Sequence, residues 1–163
     1  MHSTIMYLDG HNLSALFEGT DGLISFAEDS RKYIPDKGSI IYTVWDGSDT
    51  FIYVGISGLQ KSEARRNPQT RIVSHASGRR SGDQFCIYVY DFFVVPELIK
   101  CGEFTPKKGE LDALTKKYIR ANLWYRFLAF ESVDSDQVVR KLVKRVQAGA
   151  CGSKKPLFNY IQR

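Results

Sequence analysis

Residues 39–57, SIIYTVWDGSDTFIYVGIS, constrain the fold more than any other part of the chain. Two short runs rich in Ile, Val, Thr, Tyr and Phe meet at Asp46-Gly47-Ser48-Asp49, which predicts a β-hairpin. A turn centred between Gly47 and Ser48 sets Trp45 opposite Thr50 and Tyr42 directly opposite Tyr53. Two phenols then project side by side from one face of the sheet. Beyond a loop at Gly58 to Arg66, Asn67 as N-cap, Pro68 at the first helical position and Gly78 as terminator predict a helix. On that helix Arg71 and His75 are four residues apart and share a face.

These residues resemble the signatures of the GIY-YIG nuclease superfamily. The first tripeptide stands here as Ile40-Ile41-Tyr42, with Ile where the family usually has Gly, and the second as Tyr53-Val54-Gly55. Arg71-x-x-x-His75 follows, and Lys155-Pro156-Leu157-Phe158-Asn159 is similar to the Pro-x-x-Asn segment that closes the family domain. The resemblance covers about residues 38–159. It implies metal-assisted phosphodiester hydrolysis, with Tyr42 as general base, Tyr53 orienting the water or a phosphate oxygen, Arg71 on the scissile phosphate and Asn159 supporting the site. A phenol with a pKa near 10 needs help at neutral pH. His75 is the natural group to accept or polarise its proton, since imidazole titrates near neutrality. The resemblance also implies Mg²⁺ or Mn²⁺ held by one Glu in a Leu-Glu-x-x-Leu pattern. The matching stretch here is Leu142-Val143-Lys144-Arg145-Val146, and Val143 has no oxygen to offer such an ion. Glu131 and Glu110 are the alternative carboxylates.

The formal net charge of +5 matters less than its distribution. Residues 60–82 carry Lys61, Arg65, Arg66, Arg71, Arg79 and Arg80 against the single acid Glu63. Residues 137–163 carry Arg140, Lys141, Lys144, Arg145, Lys154, Lys155 and Arg163 against none. Such stretches are either solvated faces or a surface for a polyanion, because Lys and Arg neutralise phosphates and release counterions. Their coincidence with the signatures favours DNA, with Arg65, Arg66, Arg79, Arg80, Arg140, Lys141, Lys144 and Arg145 as the contacting residues. The turn Gly78-Arg79-Arg80-Ser81-Gly82-Asp83 would let backbone amides and guanidinium groups approach phosphate.

With 163 residues, 43% hydrophobic and 25% charged, the chain has the size and composition of one soluble domain. It has no apolar run of membrane-spanning length and no signal-peptide pattern at its start, so a cytosolic location is expected. Cys86, Cys101 and Cys151 fit neither a disulfide framework nor a zinc set and read as reduced thiols.

Residues 1–37 read as an extension packed on a domain of residues 38–163. Within it Ile5 to Leu8 is expected as a short strand and Gly22 to Tyr33 as an amphipathic helix, while His2 and His11 read as incidental. Pro35 to Gly38 breaks the chain before the hairpin. Gln84 to Val95 (QFCIYVYDFFVV), dense in β-branched and aromatic residues and followed by Pro96, is expected as the third and most buried strand. Glu110 to Asn122 is expected as a helix and Leu123 to Glu131 as a strand. Ser135 to Ala148 is expected as a helix with Val138, Val139, Leu142, Val143 and Val146 inward. The pattern makes an α+β domain, a small mainly antiparallel sheet flanked by helices. The expected function is a DNA endonuclease of restriction, mobile-element or repair type. The alternative from another class is a catalytically impaired nucleic-acid-binding module, and a third is an unrelated α+β protein whose tyrosines merely pack.

Overall fold

The predicted hairpin forms and becomes the centre of the sheet. The computed structural model describes residues 7–18, 22–59, 67–102, 107, 109–131, 136–150 and 154–159. Strands β1 (Tyr7–Leu8) and β2 (His11–Asn12) make a small ribbon. Strands β3 (Ile24–Ser25), β4 (Ser39–Asp46), β5 (Phe51–Ser57) and β6 (Leu123–Phe130) make a sheet in the order β3-β6-β4-β5, antiparallel throughout. The architecture is α+β.

The hairpin register differs from the expected one by two residues. Asp46 organises a longer turn than expected: its Oδ1 accepts the Ser48 and Thr50 N–H groups, and Asp49 takes a left-handed φ of 60°. A bulge between Val44 and Trp45 adds a second shift, leaving Trp45 opposite Phe51, Val44 opposite Tyr53 and Tyr42 opposite Gly55. The consecutive residues Ile52 and Tyr53 therefore both pack on the first core. Side chains alternate along a strand with a period of two, so an even shift keeps each on its face. Tyr42 and Tyr53 are thus diagonal neighbours on one face, not direct partners.

Two cores lie on opposite faces of this sheet. The first holds Ile40, Tyr42 and Val44 against Ile72 of α1 (Thr70–Ser77), Phe85 and Val89 of α2 (Gln84–Val89), and Ile119 of α4 (Glu110–Asn122). The second holds Ile41, Trp45, Phe51 and Val54 against Leu13 and Leu16 of the N-terminal segment and Leu142, Val143 and Val146 of α5 (Asp136–Gln147). The expected inward face of α5 is therefore the observed one for these valines and Leu142.

Three expectations are corrected here. Gln84 to Val95 is helical: α2 runs into a π-helical turn at Tyr90–Val94 and then α3 (Val95–Cys101). The Asp83 carboxylate caps α2 by accepting the Phe85 and Cys86 N–H groups, and Phe85, Cys86, Val89 and Val94 bury one helical side, which overrides their strand preference. Pro96 does not end the element; the Val95 N–H reaches back to the Tyr90 carbonyl in a widened turn just before the proline ring enters. Gly22 to Tyr33 is not an amphipathic helix, because Ile24 and Ser25 pair with Tyr125 and Trp124 as an edge strand and only Ser30–Lys32 makes a short 3-10 turn. Finally, Asn67 accepts the Gln69 N–H and forms a turn around Pro68, so α1 starts at Thr70 instead. Gly78, at φ 69°, ends α1 as expected.

Gly55 is where the sheet admits the Tyr42 phenol. A Cβ there would stand 2.3 Å from Tyr42 Oη and 2.9 Å from a Tyr53 ring carbon. Gly55→Ala is expected to cost about 1–3 kcal/mol by overpacking, read as a drop in unfolding midpoint. Gly22→Ala, whose added methyl meets nothing within 4 Å, is the control and should leave the midpoint nearly unchanged.

Candidate active site: a buried Tyr-His-Asp relay

The first core contains a chain of polar groups. Tyr42 Oη lies 2.7 Å from His75 Nε2, and His75 Nδ1 lies 2.7 Å from Asp83 Oδ2. All three are buried, at 1% exposure for Tyr42 and 2% for His75 and Asp83. Ser74 Oγ donates to the same Asp83 oxygen at 2.7 Å, while Asp83 Oδ1 caps α2. Local sequence places each member: Tyr42 sits mid-strand over Gly55, His75 is on the inward side of α1, and Asp83 follows the Gly78–Gly82 turn as an N-cap. Asp83 thus ties α1 to α2 through one carboxylate.

Protonation states follow from the donors and acceptors. Burial opposes ionisation of Asp83, but hydrogen bonds from His75, Ser74 and the Cys86 N–H hold its carboxyl below the usual 3.8. An ionised carboxylate only accepts, so His75 Nδ1 carries the proton that bonds it. In the neutral ring Nε2 is then an acceptor, and the Tyr42 hydroxyl donates to it. Burial, together with the neighbouring Tyr53 hydroxyl and Asp83, pushes the Tyr42 phenol well up, and Arg71 opposes this only in part. Tyr42 is therefore a neutral phenol at rest.

Tyr53 joins from the diagonal position, its ring centroid 6.2 Å from that of Tyr42 and 5.9 Å from that of His75. It is half-buried, so of the two phenols it is the one with solvent access. Its pKa is raised by burial first and then by Asp83, and again lowered by Arg71. Arg71 is exposed, and its N–H donates to Ser57 Oγ at 3.2 Å. Its charge reaches both phenols. Tyr42, Tyr53 and His75 therefore converge, and Arg71 acts on the two phenols by its charge from the exposed side of α1.

The remaining candidates are placed differently. Asn159 contacts neither phenol through its amide; Oδ1 accepts the Val54 N–H and Nδ2 donates to the Val54 carbonyl, between Tyr53 and Gly55. With the Leu157 and Phe158 N–H groups bonded to Phe51 and Ile52, it covers the outer edge of β5. Arg80 pairs with Asp112 at 2.8 Å and stacks over the Tyr90 ring, so it is structurally engaged. Arg79 is exposed. Lys141 and Arg145 pair with Asp9, while Arg140 and Lys144 are exposed on α5. That helix packs on the sheet face opposite the tyrosines. Arg65 and Arg66 lie outside the described residues, as do His2 and Cys151. A cleft of about 760 Å³ runs along α1 between Asp29, Gln69 and Arg120, but neither Tyr42, Tyr53 nor His75 lines it.

A divalent ion finds a poor fit. Val143 is buried in the second core, so a Glu in its place would put a charge among apolar side chains instead of beside Tyr42. Glu110 is exposed at the start of α4 and accepts the Lys107 N–H; Glu131 is exposed beyond the end of β6. His75, Asp83 and Cys86 could together surround an ion. Both His75 nitrogens and both Asp83 oxygens are already hydrogen-bonded, however, and burial and the Asp83 charge push the Cys86 thiol up, away from a thiolate. A hard cation such as Mg²⁺ wants several oxygens, and this cluster has one carboxylate.

Compared with models of protein families, with curated proteins and with solved structures, the chain matches none. The functional reading of the site rests on the geometry above and on the signatures.

Asp83 was the member of the relay that sequence reasoning missed, being read as the tail of a basic turn. The available signal was an Asp after Gly82 and directly before an apolar run, which is an N-cap pattern. Because the folded carboxyl is more acidic than 3.8, its stabilisation is complete above that value and lost as pH falls through the lowered one. Asp83→Asn should lower stability by about 1–3 kcal/mol at neutral pH. The deficit should shrink as denaturation curves are taken toward pH 3; a deficit independent of pH would contradict the assignment.

Proposed function

We propose that this chain is a nuclease of the GIY-YIG type that hydrolyses phosphodiester bonds in DNA. The observation that carries the reading is the 2.7 Å contact of Tyr42 Oη with His75 Nε2, on a ring whose Nδ1 is held by Asp83. Water reaches the pair at Tyr53. As the water attacks phosphorus the P–O bond to the leaving oxygen breaks; the water's proton passes by way of the Tyr53 hydroxyl to Tyr42, which gives its own to His75 Nε2, so no free phenolate accumulates, and the leaving oxygen takes a proton from solvent. Asp83 keeps the ring oriented and stabilises the imidazolium that forms. Arg71, exposed beside both phenols, binds the phosphate whose charge builds in the transition state. Asn159 acts as a positioning residue by fixing β5 at Val54. Mg²⁺ or Mn²⁺ is the ion that the resemblance implies, and the residues beside the phenols fit it poorly.

The alternative, a catalytically impaired nucleic-acid-binding module, draws its support from the metal ligands. The carboxylate beside the phenols is fully engaged, and the position matched to the family Glu is a buried valine. The two readings separate in one assay on duplex and single-stranded DNA with Mg²⁺ or Mn²⁺. The nuclease reading expects cleavage, and Tyr42→Phe should slow it about 10²–10⁴-fold while DNA affinity stays unchanged, because only proton transfer is removed. Cleavage that survives in Tyr42→Phe and in His75→Ala would overturn the mechanism. Salt-dependent binding without cleavage on any substrate would favour the module.

The two basic surfaces are separable as well, since α5 and Arg71 belong to opposite layers. Neutralising Arg71 and Arg79 should reduce the salt slope of DNA affinity by about 0.9 for each phosphate that no longer meets a cation. Neutralising Arg140 and Lys144 should leave it unchanged if DNA lies on the tyrosine face alone.

A further inference from the structure

Beside the tyrosines the helix that replaces the expected third strand presents aromatic rings to solvent. Phe92 is 50% exposed in spite of its size, and Tyr88, one turn earlier, is half-buried. Both rings rest on the same buried partner, each with its centroid 5.6 Å from that of Phe158. Phe158 is in turn continuous with the site, through Phe85 at 6.4 Å and from Phe85 to Tyr53 at 5.2 Å. An exposed phenylalanine backed by a buried one is a firm, flat surface, because its ring cannot turn inward. Arg71, exposed on α1, acts by its charge on Tyr53 at the tyrosine end of this surface.

We propose that Tyr88 and Phe92 form a stacking platform for unpaired nucleobases next to the phosphate site, so that the strand being cut is single-stranded or locally unpaired there. The inference rests on the phosphodiester reading of the tyrosine site and adds the substrate class. A duplex hides the faces of its bases, whereas an unpaired strand offers alternating phosphates and rings. A cation adjoining exposed aromatic faces matches that alternation. Because every base has a π-face, such a platform tolerates any sequence and gives preference for unpaired structure instead.

The test compares binding of the full chain to dT12 and to an abasic oligonucleotide of the same length and charge, at one salt concentration. The platform predicts that dT12 binds more tightly, by about 5-fold to 150-fold for each stacked base. Phe92→Ala, an exposed change that leaves the core intact, should bring dT12 down toward the abasic affinity and leave the abasic affinity itself alone; Phe92→Trp should keep the preference. Equal binding of the two oligonucleotides by the unaltered chain, or an equal weakening on both in Phe92→Ala, overturns the platform. Cleavage assays separate this from the reading beneath it. Cleavage with no base preference removes the platform only, whereas a base preference that disappears in Phe92→Ala with no cleavage of any substrate supports the platform and removes the nuclease.

Discussion

The hydrogen-bonded line from Tyr42 through His75 to Asp83 is the interaction on which the rest of the arrangement depends. Three polar side chains lie in a core otherwise dominated by aliphatic and aromatic residues. Leaving any of them unpaired there would cost about 1–3 kcal/mol each. Each is instead satisfied by the next, and the last is satisfied by Ser74 and the first turn of α2. The line therefore joins strand β4, helix α1 and helix α2 at one point. Packing reinforces it, since the His75 ring sits 4.5 Å from that of Phe85 and 5.7 Å from that of Tyr42. These contacts hold the three groups in one geometry, the preorganisation that the proposed relay requires.

The sheet separates two kinds of work. Its first face carries the relay and opens to solvent at Tyr53 and Arg71; its second face carries an apolar core capped by the N-terminal segment and α5. This division explains why a basic helix with a clear inward stripe need not belong to the site. Lys141 and Arg145 serve the N-terminal segment through Asp9. It also explains why Val143 is apolar, for its environment is the second core.

Much of this was legible in the sequence where a local signal and its tertiary use agreed. The Arg71–His75 spacing holds on α1, Glu110–Asn122 forms as read, and the strand read as Leu123 to Glu131 forms over Leu123–Phe130, because helix periodicity and strand composition are met by matching burial. The tyrosines share a face although the register was read two residues off, because parity survives an even shift. The failures have physical causes too. QFCIYVYDFFVV has strand composition, yet a single capping carboxylate at Asp83 and a one-sided pattern of burial make it helix. Asp83 itself was hidden because its partner is eight residues away across a turn, and its second role as a cap looks like ordinary helix punctuation. Asn159 was singled out in the sequence as a support of the site, but only its pairing with Val54 shows that it holds β5.

The most direct measurement of the central claim is the tautomer of His75, read from the side-chain ¹⁵N and ¹H resonances of the labelled protein. The relay predicts a neutral ring protonated at Nδ1, with the Nδ1 proton shifted downfield by the Asp83 carboxylate and gone from that position in Asp83→Asn. A ring protonated at Nε2, or resonances that ignore both Asp83→Asn and Tyr42→Phe, would contradict it.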